Sequence, residues 1–126
     1  WTTTMPTDTS LEDGCGWHIQ EAYRLDFEAL HRLEGATPDF AGASTDLGAA
    51  RAELTLAIGL ASNLADLKLG KQVVRFLGRA DQKLERALDE AADQDADDAI
   101  SQALKSARDQ GLAFQRLFAL DFKDQF

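Results

Sequence analysis

The chain of 126 residues is long enough for one domain with a substantial core. Its 22 acidic and 13 basic side chains leave a net charge of −9, which argues against a general nucleic-acid surface because phosphates would be repelled. The single cysteine, Cys15, excludes an internal disulfide, and no apolar run reaches the roughly 18 residues of a membrane-spanning helix.

The first segment has no helical pattern. Residues 1–15 are polar and irregular, which predicts a disordered tail ahead of a single helical domain at 16–126. Met5 followed by proline is typical of a natural start, so residues 1–4 are interpreted as upstream sequence. The tail lacks the basic-then-apolar pattern of a secretion signal, and we expect a cytoplasmic protein.

Residues 17–34 predict the first helix, because apolar side chains recur there with helical spacing. Its apolar face comprises Ile19, Ala22, Tyr23, Leu30 and Leu33. Asp26 lies in the middle of that face, where a carboxylate is costly. Gly35 suits the end of the helix and Pro38 prevents its continuation, so a loop is predicted over 35–45.

The most apolar segment, residues 46–69, predicts a second and nearly buried helix. Its many alanines allow a neighbouring helix to approach closely. Asp46 is predicted to cap the start of this helix, and Gly70 to end it. Glu53 lies on the apolar side of the helical wheel, so it needs a partner, a raised pKa or access to a helix end.

Two further helices are predicted at residues 71–91 and 97–121, each with apolar residues three or four apart. The third helix has the seam Val73, Leu77, Ala80, Leu84, Ala87, Leu88 and Ala91. The fourth has the seam Ile100, Leu104, Ala107, Gly111, Phe114 and Phe118. The acidic stretch 89–98 predicts a loop, with Asp95 or Asp97 as the cap of the fourth helix.

Four amphipathic helices with short connections predict an all-α, up-down-up-down bundle. The joint at Gly70 is the weakest, and one continuous helix across it would favour a swapped dimer. The chain also has more aromatic ends than one small bundle covers, so we expect a homodimer. These ends are Trp17, Phe40, Phe118, Phe122 and Phe126.

Asp26 and Glu53 form the first candidate site. Asp26 lies eight residues before the end of the first predicted helix, and Glu53 lies seven after the start of the second, so antiparallel packing places both at one depth. Two facing carboxylates in an apolar bundle share a proton, bind a divalent metal ion or pair with an arginine. Arg108 is the candidate counter-charge, and Tyr23 a candidate donor. A satisfied polar network without any ligand is the structural alternative.

Cys15, His18 and Glu21 form a second candidate site for a metal such as zinc or nickel. Cys-x-x-His places a thiol and an imidazole one turn apart, and a helix start would lower the pKa of the thiol. His31 is a further potential ligand, and Glu28-x-x-His31 is the only Glu-x-x-His motif, whereas a di-iron bundle requires two. The alternative is an incidental surface histidine beside a cysteine.

A third candidate is a band of basic residues along the third helix, which predicts an anion- or partner-binding surface or a solvated helix face. The band comprises Lys68, Lys71, Arg75, Arg79, Lys83 and Arg86. Phe76 is predicted to point away from it. The alternating acids Asp93, Asp95 and Asp97 resemble a calcium loop, but Asp98 and Leu104 occupy the positions that need glycine and glutamate, so a solvated loop is predicted.

No phosphate loop, nucleophile elbow or zinc-protease motif is present, which argues against the enzyme classes that depend on them. The first hypothesis is a non-enzymatic interaction or assembly protein. A metal- or small-ligand-binding bundle and an anion-binding module are the alternatives. The acidic composition fits either a salt-rich cytoplasm or ordinary mesophilic acidity.

Overall fold

The computed structural model describes residues 8–118, and all regular structure within them is helical. The helices are α1 (Asp8–Leu33), α2 (Phe40–Ala61), α3 (Leu67–Ala92) and α4 (Ala96–Leu117). In this part of the chain, no helix combines the length and the apolar character needed to cross a membrane.

Successive helices run antiparallel around the bundle. α1 and α3 each pack against both α2 and α4, and the contact between α1 and α4 is the least extensive of the four. Cys15 near the start of α1 donates to the carbonyl of Ala57 near the end of α2, and Ser106 in α4 donates to the carbonyl of Ala80 in α3. The turns have six, five and three residues, too short for a crossover. The predicted up-down-up-down bundle is confirmed.

Leucine and alanine fill the core. The largest apolar side chains without solvent contact include Leu33, Leu47, Leu54, Val73, Leu77 and Leu84. Fully burying each contributes about 1.5–3 kcal/mol. Alanines occupy most other buried positions, so the helices approach closely. The α3 seam follows the prediction, with Leu88 as its half-buried member.

α1 begins at Asp8, within the segment predicted as a tail up to Cys15. The two glycines beside Cys15 suggested an irregular chain, but Gly16 is helical and buried. A Cβ at Gly16 would lie 2.6 Å from the ring of Phe118, so this glycine gives room for the aromatic side chain that follows α4. The structure corrects the boundary for Asp8–Cys15, while residues 1–7 lie outside the described part.

α2 begins at Phe40, inside the predicted loop. Its cap is Asp39, which accepts from the amide of Gly42 at 2.9 Å. The prediction that Asp46 caps this helix is wrong. Asp46 lies buried within α2 and accepts from Arg32 of α1 at 2.7 Å, so it joins two helices instead of capping one.

α2 ends at Ala61, earlier than predicted, and α3 begins at Leu67. Asp66 caps α3 by accepting from the amide of Leu69 at 3.1 Å. The prediction that Gly70 ends α2 is wrong, because Gly70 is buried inside α3. A Cβ there would lie 2.6 Å from the carbonyl oxygen of Ala61, so the glycine permits a close approach between the two helices.

α4 is rotated relative to the predicted seam. Asp95 caps it, as expected, by accepting from the amide of Asp98 at 3.0 Å. The buried residues are Ala99, Ala103, Ser106, Ala107, Asp109, Gln110, Ala113 and Leu117. Leu104 is 49% exposed instead of buried. The buried face consists mainly of small and polar residues. The prediction followed the larger apolar side chains, which lie on a neighbouring face of the helix. Phe122 and Phe126 lie outside the described residues.

Candidate functional site

A buried polar network joins three helices. Asp26 of α1 has no solvent exposure, and its Oδ2 accepts from Gln110 Nε2 of α4 at 3.2 Å. The same nitrogen donates to Ser106 Oγ at 3.0 Å, and that hydroxyl donates to the carbonyl of Ala80 in α3 at 2.8 Å. The Gln110 nitrogen therefore donates to two acceptors, one for each of its two hydrogens, which fixes the orientation of the Gln110 amide.

Two oxygens of this network have no hydrogen-bond partner among the described residues. They are Asp26 Oδ1 and Gln110 Oε1, both buried. Burial raises the pKa of Asp26 from 3.8 to about 8, and the hydrogen bond from Gln110 opposes this only in part. Asp26 is therefore protonated at neutral pH, so the network offers a hydroxyl donor and an amide acceptor that are both unused.

Gln110 also lines a groove between α1 and α4, the two helices that pack least extensively. The groove has a volume of about 370 Å³ and is mostly apolar. Its lining consists of Ile19, Gln20, Tyr23, Gln110, Gly111, Phe114 and Gln115. Among the described residues, the lining contains no charged side chain, and Gln110 is its fully buried polar member. This groove is the candidate functional site.

The predicted pairing of Asp26 with Glu53 is not formed. Glu53 Oε2 instead lies 2.5 Å from His18 Nδ1, a pair that is about a quarter exposed. His18 precedes Asp26 by eight residues on α1, which is about 12 Å along the helix axis. The pairing failed because α2 begins six residues earlier than predicted, which moves Glu53 by about 9 Å along the bundle.

Cys15, His18 and Glu21 do not converge either. His18 faces Glu53, and Glu21 accepts from Arg24 at 2.9 Å. Burial raises the pKa of the Cys15 thiol to about 12. The predicted lowering of that pKa is wrong, because α1 begins seven residues before Cys15, which removes the thiol from the helix start.

The two other predicted partners of Asp26 lie elsewhere. Arg108 is exposed, and Tyr23 is 43% exposed at the groove, with its ring tilted against that of Phe27. Neither supplies a bond to Asp26 within residues 8–118. Sequence reasoning missed Gln110. The sequence pattern that indicates its burial is a face of α4 on which small and polar residues recur every three or four positions. Small residues allow a neighbouring helix to pack closely, so a glutamine on the same face is buried.

The basic band on α3 is divided. Lys83 is paired with Asp109, whereas no ion pair within residues 8–118 involves Lys68, Lys71, Arg75, Arg79 or Arg86. The prediction that Phe76 points away from the band is wrong, because the guanidiniums of Arg75 and Arg79 lie 5.6 and 5.8 Å from its ring centroid.

The described residues bring three potential metal ligands together only at the α3–α4 turn. Glu90, Asp95 and Asp98 offer oxygens within 4.8 Å of one another. The Asp95 charge is the main cause that raises the pKa of Asp98. Asp95 is already used as the cap of α4, and the group is largely exposed. The acids are solvated as predicted, but the predicted loop over 89–98 is wrong in extent, because α3 continues to Ala92 and α4 begins at Ala96, which leaves a turn of three residues.

The α1–α4 groove therefore combines a cavity with a buried amide oxygen that has no partner among the described residues. The ion pairs and the acidic turn do not combine these features. The chain matches no protein-family model, no curated protein and no solved structure.

Proposed function

We propose that the protein is a non-enzymatic binding bundle that holds a small neutral ligand in the α1–α4 groove. The observation that carries this proposal is Gln110. Its side chain is fully buried at the groove, yet its Oε1 has no hydrogen-bond partner among the described residues. A buried acceptor without a donor costs about 1–3 kcal/mol, and a ligand N–H or O–H group that reaches Oε1 as the groove lining moves aside removes that cost.

The lining determines the class of ligand. Ile19 and Phe114 supply apolar contacts, and no charged side chain of residues 8–118 lines the groove to balance a ligand charge. A volume of about 370 Å³ lies in the lower part of the range for small-molecule sites. The expected ligand is thus small, neutral and largely apolar, with one hydrogen-bond donor.

Indole and benzothiophene test this proposal, because they share a shape and only indole has an N–H donor. Indole is expected to bind about fivefold more tightly, the effect of roughly 1 kcal/mol from one hydrogen bond. Gln110→Leu is expected to remove that difference and leave benzothiophene binding unchanged. Titration followed by NMR chemical shifts of groove residues measures both affinities.

Gln102→Leu is the matched control. Gln102 is on the same helix, and its Oε1 is also buried without a partner, but it does not line the groove. Its substitution is expected to leave the preference for indole intact. Equal affinities of the two probes for the wild type, or a preference that survives Gln110→Leu, would contradict the proposal. Loss of benzothiophene binding would show a damaged groove, and Gln110→Met, which keeps the length of the side chain, then repeats the test.

The exposed aromatic pair on α1 supports a second candidate function, assembly into homodimers. Tyr23 and Phe27 are 43% and 42% exposed, with ring centroids 4.7 Å apart. Aromatic rings are enriched at protein contacts, since they bury much area and order few side-chain torsions. Phe27→Ser is expected to shift the protein from dimer to monomer in sedimentation equilibrium. Leu104→Ser, at an exposed apolar position on α4, is the control, and a monomeric wild type would exclude this function.

A further inference from the structure

We propose a second binding site, for a free amphipathic anion, where α2 turns into α3. Here an apolar groove of about 340 Å³ lies beside the basic residues at the start of α3. Its lining is Ala61, Ser62, Leu64, Leu67, Gly70, Lys71, Val74 and Arg75. It shares no residue with the α1–α4 groove, so this proposal stands independently of the proposed function.

The positive charge at the start of α3 is the first feature that supports this site. Four basic side chains of residues 8–118 have a carboxylate within 4.0 Å, namely Arg24, Arg32, Arg51 and Lys83. Eight have none among the described residues, and three of these, Lys71, Arg75 and Arg79, are neighbours on α3. Residues 67–80, which include all three, contain four basic side chains and no acid. The start of α3 therefore carries local positive charge on an acidic protein.

The ring of Phe76 is the second feature that supports this site. Its ring is half-buried against the core, and the guanidiniums of Arg75 and Arg79 both lie within 6 Å of its centroid. Cation–π contacts of this kind hold arginine side chains in place. Each guanidinium is a planar donor that suits a carboxylate or phosphate group.

The exposed apolar side of this groove is the third feature that supports this site. Leu67 is 70% exposed at the first position of α3, on the same groove that Lys71 and Arg75 line. An apolar surface beside unpaired cations complements a molecule with an anionic head and an apolar chain. The small volume fits one short chain, which favours a free monomeric ligand over a membrane surface. The net charge of −9 argues against nucleic acid.

Decanoate, decanol and acetate separate the contributions of head and chain in calorimetric titration of the full chain. Decanoate below its micellar concentration is expected to bind, decanol about tenfold more weakly, and acetate not measurably. Arg75→Gln with Arg79→Gln is expected to reduce decanoate affinity about tenfold. Arg86→Gln is the control, since Arg86 is an exposed cation on α3 that lies about 16 Å beyond Arg75 along the helix axis.

Equal binding of decanol and decanoate, or an unchanged affinity in the double variant, would overturn the proposal. The same holds if anionic phospholipid vesicles bind the protein and monomeric decanoate does not. Leu67→Ser gives an independent check. Loss of this apolar contact should weaken the binding of decanoate and leave the helix content, measured by circular dichroism, unchanged. Indole binding at the α1–α4 groove should be the same in these variants, so failure of one site is distinguishable from failure of the other.

Discussion

Asp26→Asn is expected to stabilise the protein by several kcal/mol near pH 9 and to change its stability little near pH 4, close to the pKa of the unfolded chain. The reason is the buried carboxyl, whose pKa is raised from 3.8 to about 8 by loss of solvation. An asparagine has nearly the same shape as the protonated acid. Its amide oxygen can accept from Gln110 as the carboxyl oxygen does.

The sign follows from proton binding. Between pH 3.8 and about 8, Asp26 is protonated in the folded chain and ionised in the unfolded chain. The folded state then binds the extra proton, so this group's contribution to stability falls by roughly 1.4 kcal/mol per pH unit through that window. The contribution is fully present below the unfolded pKa and is lost once pH exceeds the folded one.

Denaturant unfolding of wild type and variant at several pH values measures this effect. The difference between their free energies of unfolding should grow with pH and level off above about pH 8. Asp13→Asn removes one exposed acid from the same helix and controls for the change in net charge. A wild-type–variant difference that is constant over this range would contradict a protonated, buried Asp26.

Gly70→Ala is expected to destabilise the protein by roughly 2–3 kcal/mol, although alanine is the better helix former. The new Cβ would lie 2.6 Å from the carbonyl oxygen of Ala61, and that atom belongs to the backbone at the end of α2. Side-chain rotation cannot relieve this contact. The α2–α3 joint must therefore open, and the buried contacts around it weaken.

Gly78→Ala is the matched control on the same helix, since no heavy atom of the described residues lies within 4 Å of a Cβ at that position. It is expected to stabilise the protein by up to about 1 kcal/mol. Opposite signs in thermal or denaturant unfolding would show that packing decides one position and helix propensity the other. A stabilising Gly70→Ala would mean that α2 and α3 are farther apart than the structure shows.

Composition and hydrophobic periodicity were enough for the architecture. Four helices and the α3 seam were predicted because apolar residues three or four apart reflect a repeat within one helix. Gly35, with a φ of 96°, and the Asp95 cap were also predicted, since each satisfies a requirement of its own turn. The burial of Asp26 followed from its place on the apolar face of α1.

Local signals were ambiguous where one residue type has several uses. Asp39 and Asp46 are both acceptable caps, and the choice of Asp46 shifted α2 by six residues. Gly16 and Gly70 suggested helix breaks, yet both lie inside helices at close interhelical contacts. Whether a glycine ends a helix or admits a neighbour depends on a chain segment that is distant in sequence.

The partners of Asp26 were decided by tertiary packing alone. Periodicity fixes which face of a helix is apolar, because that property depends on residues within a few turns. Axial offset and rotation between helices depend on the whole packed interior, and a shift of one turn replaces every cross-helix partner. For that reason the sequence indicated a costly buried acid, whereas only the assembled bundle placed Gln110 beside it and left a groove at that amide.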